Sequence, residues 1–183
     1  MTALARRSFL AALVGLGALL RRRDAGATTI VPVTLEELTR RSELVVLGTV
    51  REVRSRWRGR FIVTDCDVSV DVSLQGALAA GERVGVRVAG GEVEGVGQVI
   101  PDAPMPQRGG SYVFFLQGAE EGMRLLAHMT AAVLPVTLGA DGAMVVGTAP
   151  GLAGTTSGRL TDSPARSLPV GELARAVRAA GAR

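Results

Sequence analysis

The chain has 183 residues with 21 Arg, no Lys and 17 Asp plus Glu, so its formal net charge is +4. Five of these arginines and one aspartate lie in residues 1–27, and residues 28–183 therefore carry 16 charges of each sign. This neutral remainder argues against the class of strongly basic nucleic-acid-binding proteins. The single cysteine, Cys66, excludes an internal disulfide.

The first 27 residues have the pattern of an export signal. Two arginines precede a serine, a phenylalanine and a leucine, as in twin-arginine signals, and an apolar run and a small-residue end follow. As a helix, the run over 9–20 would span about 18 Å, less than the roughly 30 Å hydrocarbon core of a bilayer. We therefore expect a twin-arginine-type signal peptide over 1–27, with cleavage after Ala27, a periplasmic or extracellular location and no membrane span after cleavage. The general secretory route is the alternative, and the motif residues are Arg6, Arg7, Phe9 and Leu10.

Residues 28–183 begin with a helix pattern that is followed by a β pattern. Thr34 and Glu37 have the spacing of a capping box, which predicts a short helix over 34–41. From Leu44 onward the residues are apolar on both sides at first and then alternate, which predicts a long strand. A turn is expected at Gly59.

The segment from Phe61 to Leu74 alternates between apolar and polar residues. A period of two predicts a strand with one face in a core and the other face in water. The predicted inward residues are Cys66, Val68, Val70, Val72 and Leu74, and the predicted outward residues are Asp65, Asp67, Ser69, Asp71 and Ser73. A thiol on the apolar face is expected to be buried and unreactive. The next strand repeats the pattern, with Val84, Val86 and Val88 inward and Arg83 and Arg87 outward.

The rest of the chain predicts short strands, loops and a C-terminal helix. The expected elements are a glycine-rich turn and strand over 90–97, a proline-rich loop over 101–106, and strands over 112–116, 123–130, 132–138 and 143–146. Residues 147–167 are rich in Gly, Thr, Ser and Pro, which favours a surface loop. A helix is expected after Pro169, and its apolar face consists of Leu173, Val177 and Ala180.

This order of elements indicates a mainly β fold. We expect a small antiparallel β-barrel with a short N-terminal and a short C-terminal helix, and an oligomer-forming β-sandwich is the alternative. The expected boundaries are a barrel domain over 28–146 and a flexible loop plus C-terminal helix over 147–183.

Five sequence motifs follow one another between residues 34 and 117. They are the helix and strand of 35–50, the alternating strand ending at Gln75-Gly76, the G-x-x-V-x-V-x-V strand of 81–88, the G-G-x-V-x-G-x-G segment of 90–97 and the G-x-x-Y-x-x-F-L strand of 109–116. Their order resembles that of a group of exported bacterial proteins, and it is similar to the netrin-like module of tissue inhibitors of metalloproteinases. That resemblance implies an OB-like barrel. The inhibitors reach a catalytic zinc through an N-terminal cysteine held by disulfides, which this chain lacks, so the resemblance implies the fold and not the inhibition.

Few residues are candidates for chemistry. Asp65, Asp67 and Asp71 share a predicted strand face and are candidates for binding a calcium-type cation, with a solvated face as the alternative. His128 is the only histidine, so any Ser-His-Asp or Cys-His mechanism would need it.

Arginines around the only tryptophan, and a methionine in the proline-rich loop, predict a binding surface. Its residues are Trp57, Arg56, Arg58 and Met105. We expect an exported non-enzymatic binding module without a cofactor, which engages another exported or envelope protein and no nucleic acid, and which has no membrane span after signal cleavage. The alternatives are an oligosaccharide-binding protein, a structural envelope protein, and a hydrolase built on the carboxylates of Asp65, Asp67, Glu92 or Glu94.

Overall fold

The computed structural model describes residues 31–156, 159–164 and 167–182, which form a mainly β protein with two helices in these ranges. The predicted signal motif with Arg6 and Arg7, and the predicted cleavage after Ala27, lie outside these residues. Neither helix of the described ranges is both long and apolar enough to cross a membrane.

The helices and strands follow each other in a simple chain order. They are α1 (Leu35–Arg41), β1 (Leu44–Arg58), β2 (Phe61–Gln75), β3 (Arg83–Ala89), β4 (Gly91–Val93), β5 (Val96–Gln98), β6 (Ser111–Glu120), β7 (Met123–Leu126), β8 (Val133–Leu138), β9 (Met144–Val146), β10 (Ala153–Thr156), β11 (Arg159–Pro164), β12 (Leu168–Pro169) and α2 (Val170–Gly181).

Helix α1 begins at the predicted cap. The backbone N–H of Glu37 donates to Oγ1 of Thr34 at 3.1 Å, which satisfies one of the free donors of the first turn. The Glu37 carboxylate accepts a hydrogen bond from Arg41 one turn later. The helix therefore has the threonine half of the capping box, and its glutamate forms an i, i+4 ion pair.

The strands of the described residues form one eight-stranded sheet and two two-stranded sheets. The order in the large sheet is β1-β2-β3-β7-β6-β8-β9-β12, and β1 also pairs with β6. The pairings thus run through β1, β2, β3, β7 and β6 and return to β1. The sequence predicts an antiparallel arrangement, and one pair differs, because β3 and β7 are parallel. This pair can be parallel because β4, β5 and β6 lie between its strands in the chain and supply the crossover.

Two hydrophobic cores lie on opposite faces of β1 and β6. Val46 and Phe114 belong to a core shared with β2 and β3, whereas Val45 and Phe115 belong to a core that also contains Leu38 of α1 and residues of α2. Alternate residues of a strand point to opposite faces, so a central strand buried on both faces must be apolar throughout. The prediction that the strand over 112–116 is central is confirmed by its place between β1, β7 and β8.

The predicted apolar face of β2 is correct only to Val70. Val72 is 42% exposed, and Leu74 is buried in the other core, the one that contains Leu38 and residues of α2. The cause is a pair of irregularities in the β1–β2 register, which give β2 the extra residues Asp71 and Leu74. The first places Val72 on the face opposite to that of Val70, and Leu74 is itself the extra residue of the second.

The C-terminal region contains more regular structure than the sequence predicts. The segment expected to be a loop over 147–167 includes β10 and β11, which pair with each other, and Leu152 of this segment is buried and forms a bridge with Val33. Helix α2 follows Pro169 as predicted, and its buried residues are Leu173, Ala174, Val177 and Ala180.

Candidate functional site

Charged side chains on β1, β2, β3 and the β6–β7 turn form an ion-pair network, which consists of Arg56, Asp65, Arg87 and Glu121. Arg87 donates from Nε to Oδ1 of Asp65 at 2.7 Å and from Nη2 to Oδ2 at 3.1 Å. Its Nη1 donates to Glu121 at 3.1 Å. Arg56 donates to the same two carboxylates, at 3.0 Å to Asp65 and 2.8 Å to Glu121. The network therefore joins two arginines to two carboxylates and is neutral.

The strand register explains how the network assembles. Asp65 lies directly opposite Arg87 in the β2–β3 pair, and opposite charges facing each other across a ladder stabilise the pairing. The sequence predicts that Arg87 points into water, and this is wrong, since its side chain is only 5% exposed. Glu121 covers it from the turn after β6, where its backbone adopts φ of 53°.

The network changes the protonation behaviour of its carboxylates. Burial alone would raise the pKa of Asp65, but the hydrogen bonds and charges of Arg87 and Arg56 outweigh it and hold the pKa below the ordinary value. Hydrogen bonds from Arg56 and then Arg87 lower the pKa of Glu121. Both groups are therefore charged at neutral pH, and neither is suited to act as a general acid there.

The three aspartates proposed for a cation site have separate partners. Asp65 is held by the ion-pair network, Asp67 pairs with Arg83 at 2.7 Å, and Asp71 accepts a hydrogen bond from Thr49 at 2.9 Å. In residues 31–156, 159–164 and 167–182, no group of three His, Cys, Asp or Glu side chains could hold a metal ion. The alternating carboxylates of β2 therefore each bind a side chain of a neighbouring strand.

The cysteine and the histidine both have structural positions. Burial and the charge of Asp65 raise the pKa of the Cys66 thiol to about 12, so the reactive thiolate is scarce at neutral pH. Nδ1 of His128 accepts from the backbone N–H of Thr130 at 3.3 Å and of Ala131 at 3.2 Å. Its Nε2 lies 3.2 Å from the carbonyl oxygen of Val31. The ring thus closes the turn that follows β7.

Two of the four carboxylates proposed for a hydrolase, Glu92 and Glu94, are exposed on the β4–β5 hairpin. This hairpin is fastened to β2, since the Gly90 N–H donates to the carbonyl of Ile62 at 2.9 Å. A Cβ at Gly91 would lie 2.3 Å from Oγ1 of Thr64, so only glycine fits there. The glycine-rich segment therefore packs closely against β2, and its glycines have a structural role.

The structure divides the predicted binding surface between two faces of β1. Arg56 and Arg58 extend toward the β6–β7 turn, where Arg58 pairs with Glu120. Trp57 lies between them in the strand and so points to the opposite face, and its partner across the hairpin is Ile62. The two arginines are thus engaged in ion pairs, while the indole remains 45% exposed.

Met105 lines a separate groove of about 270 Å³ formed by the proline-rich loop. Pro135 of β8 and Pro150 also line it. Arg58 lines a different groove, which it shares with Ala103 of the same loop. The structure therefore does not place Met105 in one groove with Arg58.

The tip of the β1–β2 hairpin, residues 57–61, carries two exposed aromatic side chains. β1 pairs with β6 only as far as Thr49 but with β2 as far as Arg58, so the hairpin continues beyond β6. Trp57 is 45% and Phe61 53% exposed, and the guanidinium of Arg60 lies 5.2 Å from the Phe61 ring centroid, in a cation–π contact. Sequence reasoning missed Phe61 because the alternation of β2 marks it only as a strand end.

No family model matches the chain, and a comparison with curated proteins gives no match. The resemblance to netrin-like modules therefore stays a prediction from the sequence motifs.

Proposed function

We propose that the chain is an exported, non-enzymatic binding module that engages another exported or envelope protein through the tip of its β1–β2 hairpin. We further propose an OB-like barrel as its scaffold. The cyclic pairing of β1, β2, β3, β7 and β6 supports this, since a closed set of strands is what a five-stranded barrel requires.

The exposure of the hairpin tip carries the proposal. Protein–protein interfaces concentrate binding energy in a few Trp, Tyr and Arg side chains. The only tryptophan of the chain is half-exposed at this tip, and Phe61 and Arg60 are neighbours in the same turn region. Phe61 pairs with Arg58 and Trp57 with Ile62, so the two aromatic side chains lie on opposite faces of the hairpin. A partner that encloses the tip would bury both of them and would be stabilised by the loss of apolar surface from water.

The state of the reactive residues supports binding over catalysis. The thiol of Cys66 is buried with a raised pKa, the ring of His128 holds a turn, and the carboxylate of Asp65 is neutralised by two arginines. A carboxylate-based hydrolase would need one carboxyl group with a raised pKa as its acid, and the pKa of Asp65 is shifted in the opposite direction.

Capture and crosslinking test the binding proposal. The protein recovered after expression of the full chain is used as bait on envelope and culture-medium fractions, with salt washes and mass spectrometry. We expect one dominant partner, lost when Trp57→Ala and Phe61→Ala are combined. The matched control combines Leu138→Ala and Met144→Ala, which removes two exposed apolar side chains that face each other in the β8–β9 pair.

The control separates two failures. Equal loss of the partner in both double variants would overturn the hairpin tip as the contact. The absence of a salt-resistant partner for the parent protein would overturn the protein-binding function itself.

Export is tested on the twin-arginine pair. The pattern of residues 1–27 supports export through the twin-arginine route. Combining Arg6→Lys and Arg7→Lys keeps both charges and should block export, with the precursor accumulating in the cytoplasmic fraction on an immunoblot. Normal export of this variant would favour the general secretory route instead.

A further inference from the structure

A polar groove lies beside the middle of β1 and the start of β3, away from the hairpin tip. Its volume is about 490 Å³, within the range of small-molecule sites. It lies between the middle of β1, the start of β3 and the loop before β6. We call it the arginine groove, and its lining residues are Thr49, Val50, Arg51, Glu52, Arg83, Arg108 and Gly109.

The positive charge of the arginines in this groove exceeds the negative charge of the carboxylates paired with them. Arg51 and Arg108 are exposed and form no ion pair with any carboxylate of the described residues. Glu52 is already paired with Arg54 at 2.7 Å. Arg83 pairs with Asp67 through one nitrogen and is otherwise exposed. The groove therefore concentrates unpaired guanidinium groups in a chain whose charges balance from residue 28 onward.

Backbone contacts fix the segments that carry these arginines. The Gly109 N–H donates to the carbonyl of Val50 at 2.8 Å, and the Val50 N–H donates to the carbonyl of Gly110 at 2.9 Å. Arg51 is the extra residue of a β1–β2 irregularity, because Val50 pairs with Val68 while Glu52 pairs with Asp67. Bulges of this kind re-aim a side chain out of the regular alternation, and here the extra residue is an arginine at the groove.

We propose that the arginine groove binds a ligand that carries phosphate groups. Guanidinium groups present planar pairs of donors that match phosphate oxygens, and such charge-assisted hydrogen bonds are stronger than neutral ones. Three arginines from separate segments could contact more than one phosphate group of the same ligand. The volume of the groove also has room for a ligand larger than a single phosphate. This inference does not depend on the hairpin tip, which lies elsewhere on β1.

Calorimetric titration with tripolyphosphate tests the inference on the protein recovered after expression of the full chain. We expect binding that weakens when NaCl is raised from about 0.05 to about 0.5 M, because salt screens exposed charges. Combining Arg51→Gln and Arg108→Gln should weaken binding at least about tenfold, through the loss of charged hydrogen bonds. The matched control combines Arg40→Gln and Arg178→Gln, which removes two exposed arginines from the two helices, and it should change affinity by less than about twofold.

A second arm distinguishes a free phosphorylated ligand from a lipid headgroup. Vesicles of phosphatidylglycerol in neutral lipid replace tripolyphosphate in a flotation assay, with the same variants. Binding that depends on Arg51 and Arg108 in either assay supports the groove and identifies the source of the phosphate. No binding in both assays, or equal weakening by the control pair, overturns it.

Releasing the third arginine gives a gain-of-binding test. Asp67→Asn removes the carboxylate that holds Arg83, so affinity for the ligand that bound should rise by about twofold to fivefold. Asp141→Asn is the control, because Asp141 is an exposed carboxylate of the β8–β9 turn, where it accepts from the Ala143 N–H and does not line the groove. A rise with Asp141→Asn but not with Asp67→Asn would contradict a role for Arg83.

Discussion

The two ends of the β1–β3 face use the same residue type in opposite ways. Toward the hairpin, Arg56 of β1 and Arg87 of β3 share two carboxylates in the ion-pair network. Toward the other end, Arg51 of β1 and Arg83 of β3 line the arginine groove, where one carboxylate pairs with Arg83 and none of the described residues pairs with Arg51. In the ion-pair network, the guanidinium groups are paired with carboxylates of the same chain. In the arginine groove, guanidinium N–H donors remain available to a ligand.

Burial accounts for the difference between these two regions. A buried charge without a partner is strongly destabilising, so Arg87, at 5% side-chain exposure, must be paired within the protein. An exposed arginine stays hydrated and needs no partner for the protein to fold. We therefore expect the ion-pair network to contribute to stability and the arginine groove to contribute to binding.

The largest expected effect comes from removing the central carboxylate of the network. Asp65→Ala leaves Arg87 with only Glu121, which is half-exposed, so the free energy of unfolding should fall by about 3 kcal/mol. Chemical denaturation monitored by Trp57 fluorescence measures it. Asp67→Ala is the matched control on the same strand face, and it should cost at most about 1 kcal/mol because its partner Arg83 is 67% exposed. Equal losses for the two variants would remove the distinction between the two ends.

Acid should weaken the network end more than the groove end. The folded-state pKa values of Asp65 and Glu121 lie below their ordinary values of 3.8 and 4.5. Their contribution to stability is therefore present above those ordinary values and is lost as the pH falls through the lowered folded-state values. Melting temperatures measured from pH 6 down to pH 2 should drop below about pH 4.5, and Asp65→Asn should flatten that drop. A parallel drop in parent and variant would show that other carboxylates cause the acid loss.

The sequence contains the elements of this fold but not the contacts that define its two regions. The alternation in β2 predicts which residues up to Val70 point inward, because burial of one face dictates a period of two. The exposure of Val72 could not be predicted, since it follows from an irregularity in how β1 and β2 pair. Gly48 stands at this irregularity and a glycine inside a strand often marks a bulge, but the glycine alone does not fix which residue of the partner strand is extra.

The same reasoning applies to the candidate sites. Opposite charges at Asp65 and Arg87 on neighbouring alternating strands were a usable signal for an ion pair, because antiparallel neighbours place such residues face to face. The contribution of Glu121 comes from a turn about 34 residues further along the chain from Arg87, and only the parallel β3–β7 pair brings that turn to the network. The meeting of Arg51 with Arg108 likewise depends on the β1–β6 register.

The smallest expected effect sharpens the comparison most. Combining Arg51→Gln and Arg108→Gln should change the free energy of unfolding by no more than about 0.5 kcal/mol, since both side chains are exposed and unpaired among the described residues. The sign should favour slight stabilisation at low salt, because the substitutions relieve repulsion between like charges. The measurement is the same denaturation series as for Asp65→Ala, repeated at two salt concentrations. A loss as large as that of Asp65→Ala would mean that these arginines hold the fold together. The groove would then be a second structural network, and its arginines would not be free for a ligand.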